Sequence, residues 1–146
     1  MYFKITTHSA EETAAVARKI ASFLRPQDVV LLKGDLGAGK SIFARALIQS
    51  LCGEVSEVPS PTFTLVQIYE GSDFDIWHFD LYRVTHPDEI CELGIEEAYA
   101  TSVSVIEWPE RLGKNVPREY LEIEFNYGSH ENERVLTFRG WTDRPM

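Results

Sequence analysis

The sequence predicts an α/β fold, a three-layer sandwich around a mixed sheet, on three observations. Val29-Val30-Leu31-Leu32 is a continuous apolar run of the kind that suits a strand buried on both faces. It leads into a glycine-rich segment, 34–41, and then into a helical pattern. Two later pairs of β-rich runs are each separated by turn residues, the signature of hairpins. Parallel strands are therefore expected beside the glycine-rich loop, with antiparallel additions.

Taken in order, residues 2–7 alternate weakly and are read as a strand. Ser9-Ala10-Glu11-Glu12 is a capping box, in which Ser9 and Glu12 can satisfy each other's backbone donors. Ala14, Ala17, Ile20, Ala21 and Leu24 recur at helical spacing, predicting a helix through residue 24 that Pro26-Gln27-Asp28 breaks. A second helix is predicted over 42–51, and Pro59-Ser60-Pro61 marks an irregular loop. Residues 64–69 and 74–82 flank Glu70-Gly71-Ser72-Asp73 as one hairpin, and 120–127 and 133–139 flank Gly128-Ser129-His130 as another. Between them lie a short helix over 87–93, closed by Gly94, and a buried strand over 102–107. No internal repeat, low-complexity tract or linker interrupts the 146 residues, so 1–146 is read as a single domain.

Bulk properties exclude several classes. No apolar run reaches the roughly 18–20 residues that span a bilayer, and the first residues do not read as a signal peptide. No membrane association is expected, and the location is read as cytoplasmic. Cys52 and Cys91 form no CxxC pair and are expected to be buried thiols. The formal charge is −9, with 23 acidic residues outnumbering 14 scattered basic ones. Autonomous nucleic-acid binding usually needs clustered Lys and Arg, so the balance argues instead for meeting a basic protein partner.

The chemistry is concentrated at Gly34-Asp35-Leu36-Gly37-Ala38-Gly39-Lys40-Ser41, which matches GxxxxGK[ST] between a predicted strand and a predicted helix. The glycines let successive backbone N–H groups converge on one anion, and the helix adds its positive dipole end. Lys40 supplies a cation to the β- and γ-phosphates, and the Ser41 hydroxyl can ligate magnesium. This is the phosphate-binding P-loop, so a P-loop nucleotide-triphosphatase-like sandwich holding a triphosphate and magnesium is expected. A second metal ligand should be acidic and end an apolar strand. Asp80, after Ile76-Trp77-His78-Phe79, and Glu107, after Val103-Ser104-Val105-Ile106, both qualify, and periodicity does not choose between them. Thr62 or Thr64 can sense a γ-phosphate or form an ST-turn, and Arg83 can neutralise transition-state charge or sit in a surface ion pair. His78 is expected to orient a neighbour or pack in the sheet, and Trp108 to pack rather than stack on a base. The guanine-reading NKxD signature is absent, which leans against a GTPase.

With these residues in place, the sequence resembles the TsaE (YjeE) family of bacterial P-loop ATPases. The likeness runs through Thr7-His8-Ser9-Ala10-Glu11-Glu12-Thr13, the P-loop, Ser60-Pro61-Thr62-Phe63-Thr64-Leu65-Val66, His78-Phe79-Asp80-Leu81-Tyr82-Arg83, Glu92-Leu93-Gly94 and Ile106-Glu107-Trp108-Pro109-Glu110. The resemblance implies an ATPase needed for threonylcarbamoyladenosine (t6A) in tRNAs that read codons beginning with A. It implies work beside the TsaB–TsaD pair, which would meet the tRNA. By position it implies that Leu36, Gly37, Ala38, Gly39, Lys40 and Ser41 bind phosphates, that Ser41 and Glu107 hold magnesium, and that Asp80 supports metal or water. Thr62 falls in a switch-like block, and Lys40, Asp80, Glu107 and Thr62 form the implied catalytic set. Ser9, Thr13, Trp108 and Arg134, with the loop from Glu131, are candidates for the rest of the nucleotide site. Ser41 stands where the family often has Thr, which keeps the hydroxyl. A small-molecule kinase or a nucleotide-gated adaptor without hydrolysis are the competing readings. The chain shows no arginine-rich lid of the kind a kinase uses.

Overall fold

The computed structural model describes residues 2–35, 37–53 and 65–141. Seven strands form one sheet in the order β1-β7-β6-β2-β5-β4-β3. The strands are β1 (Tyr2–Thr7), β2 (Val29–Gly34), β3 (Val66–Glu70), β4 (Asp75–Asp80), β5 (Val103–Glu107), β6 (Leu121–Tyr127) and β7 (Arg134–Gly140). The helices are α1 (Ala10–Ala21), α2 (Lys40–Cys52), α3 (Asp88–Glu92) and α4 (Ile95–Thr101).

The apolar run behind β2 has the environment its composition requires. β2 is flanked by parallel partners, β5 on one side and β6 on the other, so its side chains are covered on both faces. Val30 and Leu32 join Ala17, Ile20, Phe43 and Leu47 of α1 and α2 in one core. Val29 and Leu31 face the opposite way, into a second core with Ile90, Ile95 and Ala98 of α3 and α4. The layers are thus α1/α2, sheet, α3/α4, the three-layer sandwich that the sequence predicts. In β6 the alternation is clean: Leu121, Ile123 and Phe125 are buried while Glu122 and Glu124 pair with Arg139 of β7 at 3.2 and 3.0 Å.

Several boundaries differ from expectation. α1 stops at Ala21, and two turn bonds (Phe23 N–H to Ile20 O, Leu24 N–H to Ala21 O) still carry Leu24 into the core. Ser9 caps as predicted, accepting the Glu12 N–H at 3.1 Å, but the Glu12 carboxylate takes the N–H of His8 at 2.9 Å rather than that of Ser9. The 74–82 run is antiparallel to β3, yet its other edge is parallel to β5, so β4 belongs to the parallel core as well as to a hairpin. Gly94 ends α3 and also begins α4, a helix the sequence reading omits. At φ +87° it lies against Trp77, where a Cβ would stand 3.1 Å from the indole. Cys52 is half-buried and Cys91 exposed, so the expectation of two buried thiols fails for Cys91. Leu36, Thr62, Thr64 and Pro59-Ser60-Pro61 lie outside the described residues. Among the described residues no helix is long and apolar enough to cross a membrane.

Candidate functional site

The pairing pattern sends the C-terminal ends of β1, β2, β4, β5 and β6 to one pole of the sheet, together with the start of β7. The P-loop leaves β2 at this pole. Gly34, at φ +148°, is pressed against β6: a Cβ there would come within 2.7 Å of the Phe125 carbonyl oxygen. Gly39, at φ +110°, is the N-cap of α2 and offers no capping side chain, so nothing from the cap residue occupies the first N–H groups of the helix. The first turn of α2 also lacks acidic residues, whereas α1 carries Glu11 and Glu12 in the same place. One helix start carries its own negative charge and the other does not, an arrangement that favours an external anion at α2. Ser41, the next residue in that turn, is exposed.

Lys40 is the most telling group. It is 4% exposed, and its Nζ makes no hydrogen bond among the described residues. The ammonium rests 3.7 Å from the centroid of the Trp108 ring. Burial pushes its pKa below the ordinary 10.5, against an opposing pull from the carboxylates of Glu107, Glu110, Asp80 and Asp35. A buried ammonium with unsatisfied donors is costly, and a phosphate oxygen would satisfy it. Trp108 itself adopts a left-handed backbone, φ 60° and ψ 52°, and its ring packs at 4.8 Å on that of Tyr82. A non-glycine residue held there costs on the order of 1–3 kcal/mol, strain that characteristically gathers at functional sites.

The two acidic candidates that periodicity leaves open prove to be neighbours. β4 and β5 run parallel with Asp80 opposite Glu107, so both carboxylates end adjacent strands on one face. They are 6% and 5% exposed. Asp80 Oδ1 accepts the Tyr82 N–H at 3.0 Å, which fixes the turn leaving β4. His78, two residues earlier on the same face, is hydrogen-bonded through Nε2 to Glu107 Oε2 at 2.7 Å. The expectation that His78 orients a neighbour is therefore the one the geometry favours. Among the described residues no three His, Cys, Asp or Glu side chains cluster closely enough to hold a metal by themselves. Oxygen donors from Glu107, Asp80 and the Ser41 hydroxyl suit magnesium, which usually takes one or two protein ligands and completes its shell with phosphates and water.

The remaining candidates divide. Arg134 starts β7 and lies 4.7 Å over the ring of Tyr127, which ends β6. Tyr127 was not singled out from the sequence, yet its hydroxyl stands beside Gly37, 3.3 Å from where a Cβ would be. Pairing of β1 with β7 sets Thr7 opposite Arg134 and brings the N-terminal block to the same edge, with His8 Nε2 3.8 Å from Glu133. There the Ser9 hydroxyl is engaged as a helix cap. The Thr13 hydroxyl is buried and bonded to that of Thr7 at 2.7 Å. Arg83 is exposed at the surface beyond β4.

The family described as threonylcarbamoyl adenosine biosynthesis protein TsaE matches residues 7–136. A TsaE protein of Rickettsia conorii is 51% identical over 131 residues, 90% of this chain and 74% of the relative. Its Bacillus subtilis counterpart, also named tRNA threonylcarbamoyladenosine biosynthesis protein TsaE, is 37% identical over 92% of this chain and 84% of its own length. The crystal structure of Bacillus subtilis YdiB superposes with a TM-score of 0.76 at 31% identity, covering 94% of this chain and 84% of that one.

Proposed function

The chain belongs to the TsaE family, and on that premise we propose that it is the ATPase subunit of t6A biosynthesis, binding ATP with magnesium and working with the TsaB–TsaD pair in the cytoplasm. The observation that carries the nucleotide reading is the buried Lys40 ammonium, which has no hydrogen-bond partner among the described residues, at an acid-free helix start and under the pull of nearby carboxylates that include Glu107 and Asp80.

In this reading the backbone of 36–41 and the α2 N-terminus hold the β- and γ-phosphates, and Lys40 bridges their charge. Ser41 and Glu107, with Asp80 behind them, would hold magnesium, which supplies neutralisation of charge on the transferred phosphoryl group. Asp80 and Glu107 also stand ready to orient a water for attack. Tyr127 borders the P-loop at Gly37 with Arg134 over its ring, and the two suit the ribose and base end of the nucleotide. Trp108 serves the phosphate end by seating Lys40. Thr62, whose block follows α2, is the switch residue of this scheme. Positioning and charge stabilisation in such a site stay incomplete until a partner docks, so turnover by the chain alone should be slow. A net charge of −9 suits docking to a partner that itself carries the tRNA.

The test is magnesium-dependent ATP hydrolysis by the purified chain with and without TsaB–TsaD. Slow turnover that changes when the pair is added supports the proposal, and Glu107→Ala should abolish it in both conditions. Tight ATP binding with no hydrolysis in either condition would sink the ATPase reading and favour a nucleotide-gated adaptor.

A further inference from the structure

The hydrogen bond between His78 and Glu107 reaches beyond packing. Both side chains are almost wholly buried, and the 2.7 Å contact is short enough to be charge-assisted. His78 Nδ1 is also buried and has no hydrogen-bond partner among the described residues. An orphaned N–H donor is rarer and costlier in a protein interior than an orphaned acceptor, so the proton belongs on Nε2. His78 then donates through Nε2–H to Glu107 Oε2, and Nδ1 keeps its lone pair. Glu107 Oε1 makes no hydrogen bond among the described residues, which leaves one carboxylate oxygen unengaged.

We propose that His78 is a positioning residue that clamps Glu107 so that it acts through a single oxygen, Oε1, toward metal or water. The inference rests on the assignment of Glu107 to the magnesium site. His78 and Asp80 lie two residues apart on β4, so they share a face of the strand, and Asp80 is opposite Glu107 on β5. One strand therefore contributes both a second carboxylate and the group that restrains the first. Without the clamp, Glu107 can turn either oxygen, or both, inward, and the distance between the two carboxylates is no longer fixed. Partners that orient a metal ligand from behind in this way typically affect metal affinity or activity about 10- to 100-fold.

The test measures manganese(II) affinity by electron paramagnetic resonance on protein loaded with a non-hydrolysable ATP analogue, beside metal-free affinity for the analogue. His78→Leu keeps the volume and removes the donor. It should weaken manganese binding about 10- to 100-fold while leaving metal-free nucleotide affinity within about twofold. His78→Gln, whose amide nitrogen falls near Nε2, should recover most of the loss. Unchanged manganese affinity in His78→Leu, parallel losses in both affinities, or a glutamine variant as poor as leucine would each overturn the proposal. If Glu107→Gln leaves manganese affinity untouched, the metal assignment of Glu107 falls. Nitrogen NMR of labelled histidine in the wild-type protein then decides on His78 alone: an Nε2–H tautomer upholds the clamp and an Nδ1–H tautomer overturns it.

Discussion

The parallel half of the sheet, β2-β5-β4, and the antiparallel half, β6-β7-β1, both reach the P-loop pole, but they bring different kinds of group. From the parallel half come Lys40, His78, Asp80 and Glu107, each 3–6% exposed and each in the low-dielectric surroundings that strengthen electrostatic contacts. From the antiparallel half come His8, Arg134 and Tyr127, the last 54% exposed. Parallel neighbours necessarily finish at the same end, so several side chains can be gathered under one helix. Antiparallel neighbours alternate, and a hairpin offers only its turn and flanks. In the proposed function, charge handling belongs to the buried half and the adaptable, solvent-facing end of the nucleotide to the other.

Three substitutions probe that contrast. Lys40→Ala should have the largest effect, lowering ATP turnover by roughly 100-fold or more and weakening triphosphate binding. Its circular dichroism and unfolding transition should stay those of a folded protein, because the charge serves the ligand. A collapsed fold would make Lys40 structural and erase the distinction. Tyr127→Ala should cost about 1 kcal/mol of nucleotide affinity, roughly fivefold, since the ring is solvated on one side. Calorimetric titration with ATP checks this, and a loss as large as that of Lys40→Ala would mean that the exposed half is no less critical.

The smallest effect belongs to Glu12. The backbone N–H of His8, and then its ring, hold the Glu12 carboxyl below its ordinary 4.5. Folding therefore favours the ionised form. That contribution is complete above 4.5 and is lost as pH falls through the lower folded value. Wild type should exceed Glu12→Gln in melting temperature near neutrality, and the gap should close in acid. A gap that persists in acid would mean that the cap does not depend on charge.

The sequence makes the P-loop, β2 and α2 plain because their signals are local: a motif, an apolar run and a helical period. Asp80 and Glu107 are each visible as strand-end acids, but their adjacency depends on the parallel pairing of β4 with β5, which has no local signature. Reading 74–82 only as half of a hairpin hides that second edge. Tyr127 escapes notice for a similar reason. It ends an ordinary alternating strand, and only the β2–β6 pairing, with Gly34 opposite Phe125, carries it to the P-loop. α4 is missed because Gly94 reads as a terminator, whereas its left-handed conformation both ends one helix and opens the next.

The alignment of Asp80 with Glu107 also makes the site a check on assembly. Side chains on a strand alternate between faces, so a slip of one residue between β4 and β5 would turn His78 and Asp80 toward α3 and α4, away from Lys40. A chain mispaired by one residue would thus lose the paired carboxylates and the histidine beside them together. Nucleotide with metal present during refolding would then draw the population toward the correctly paired sheet, because that state binds the pair more tightly.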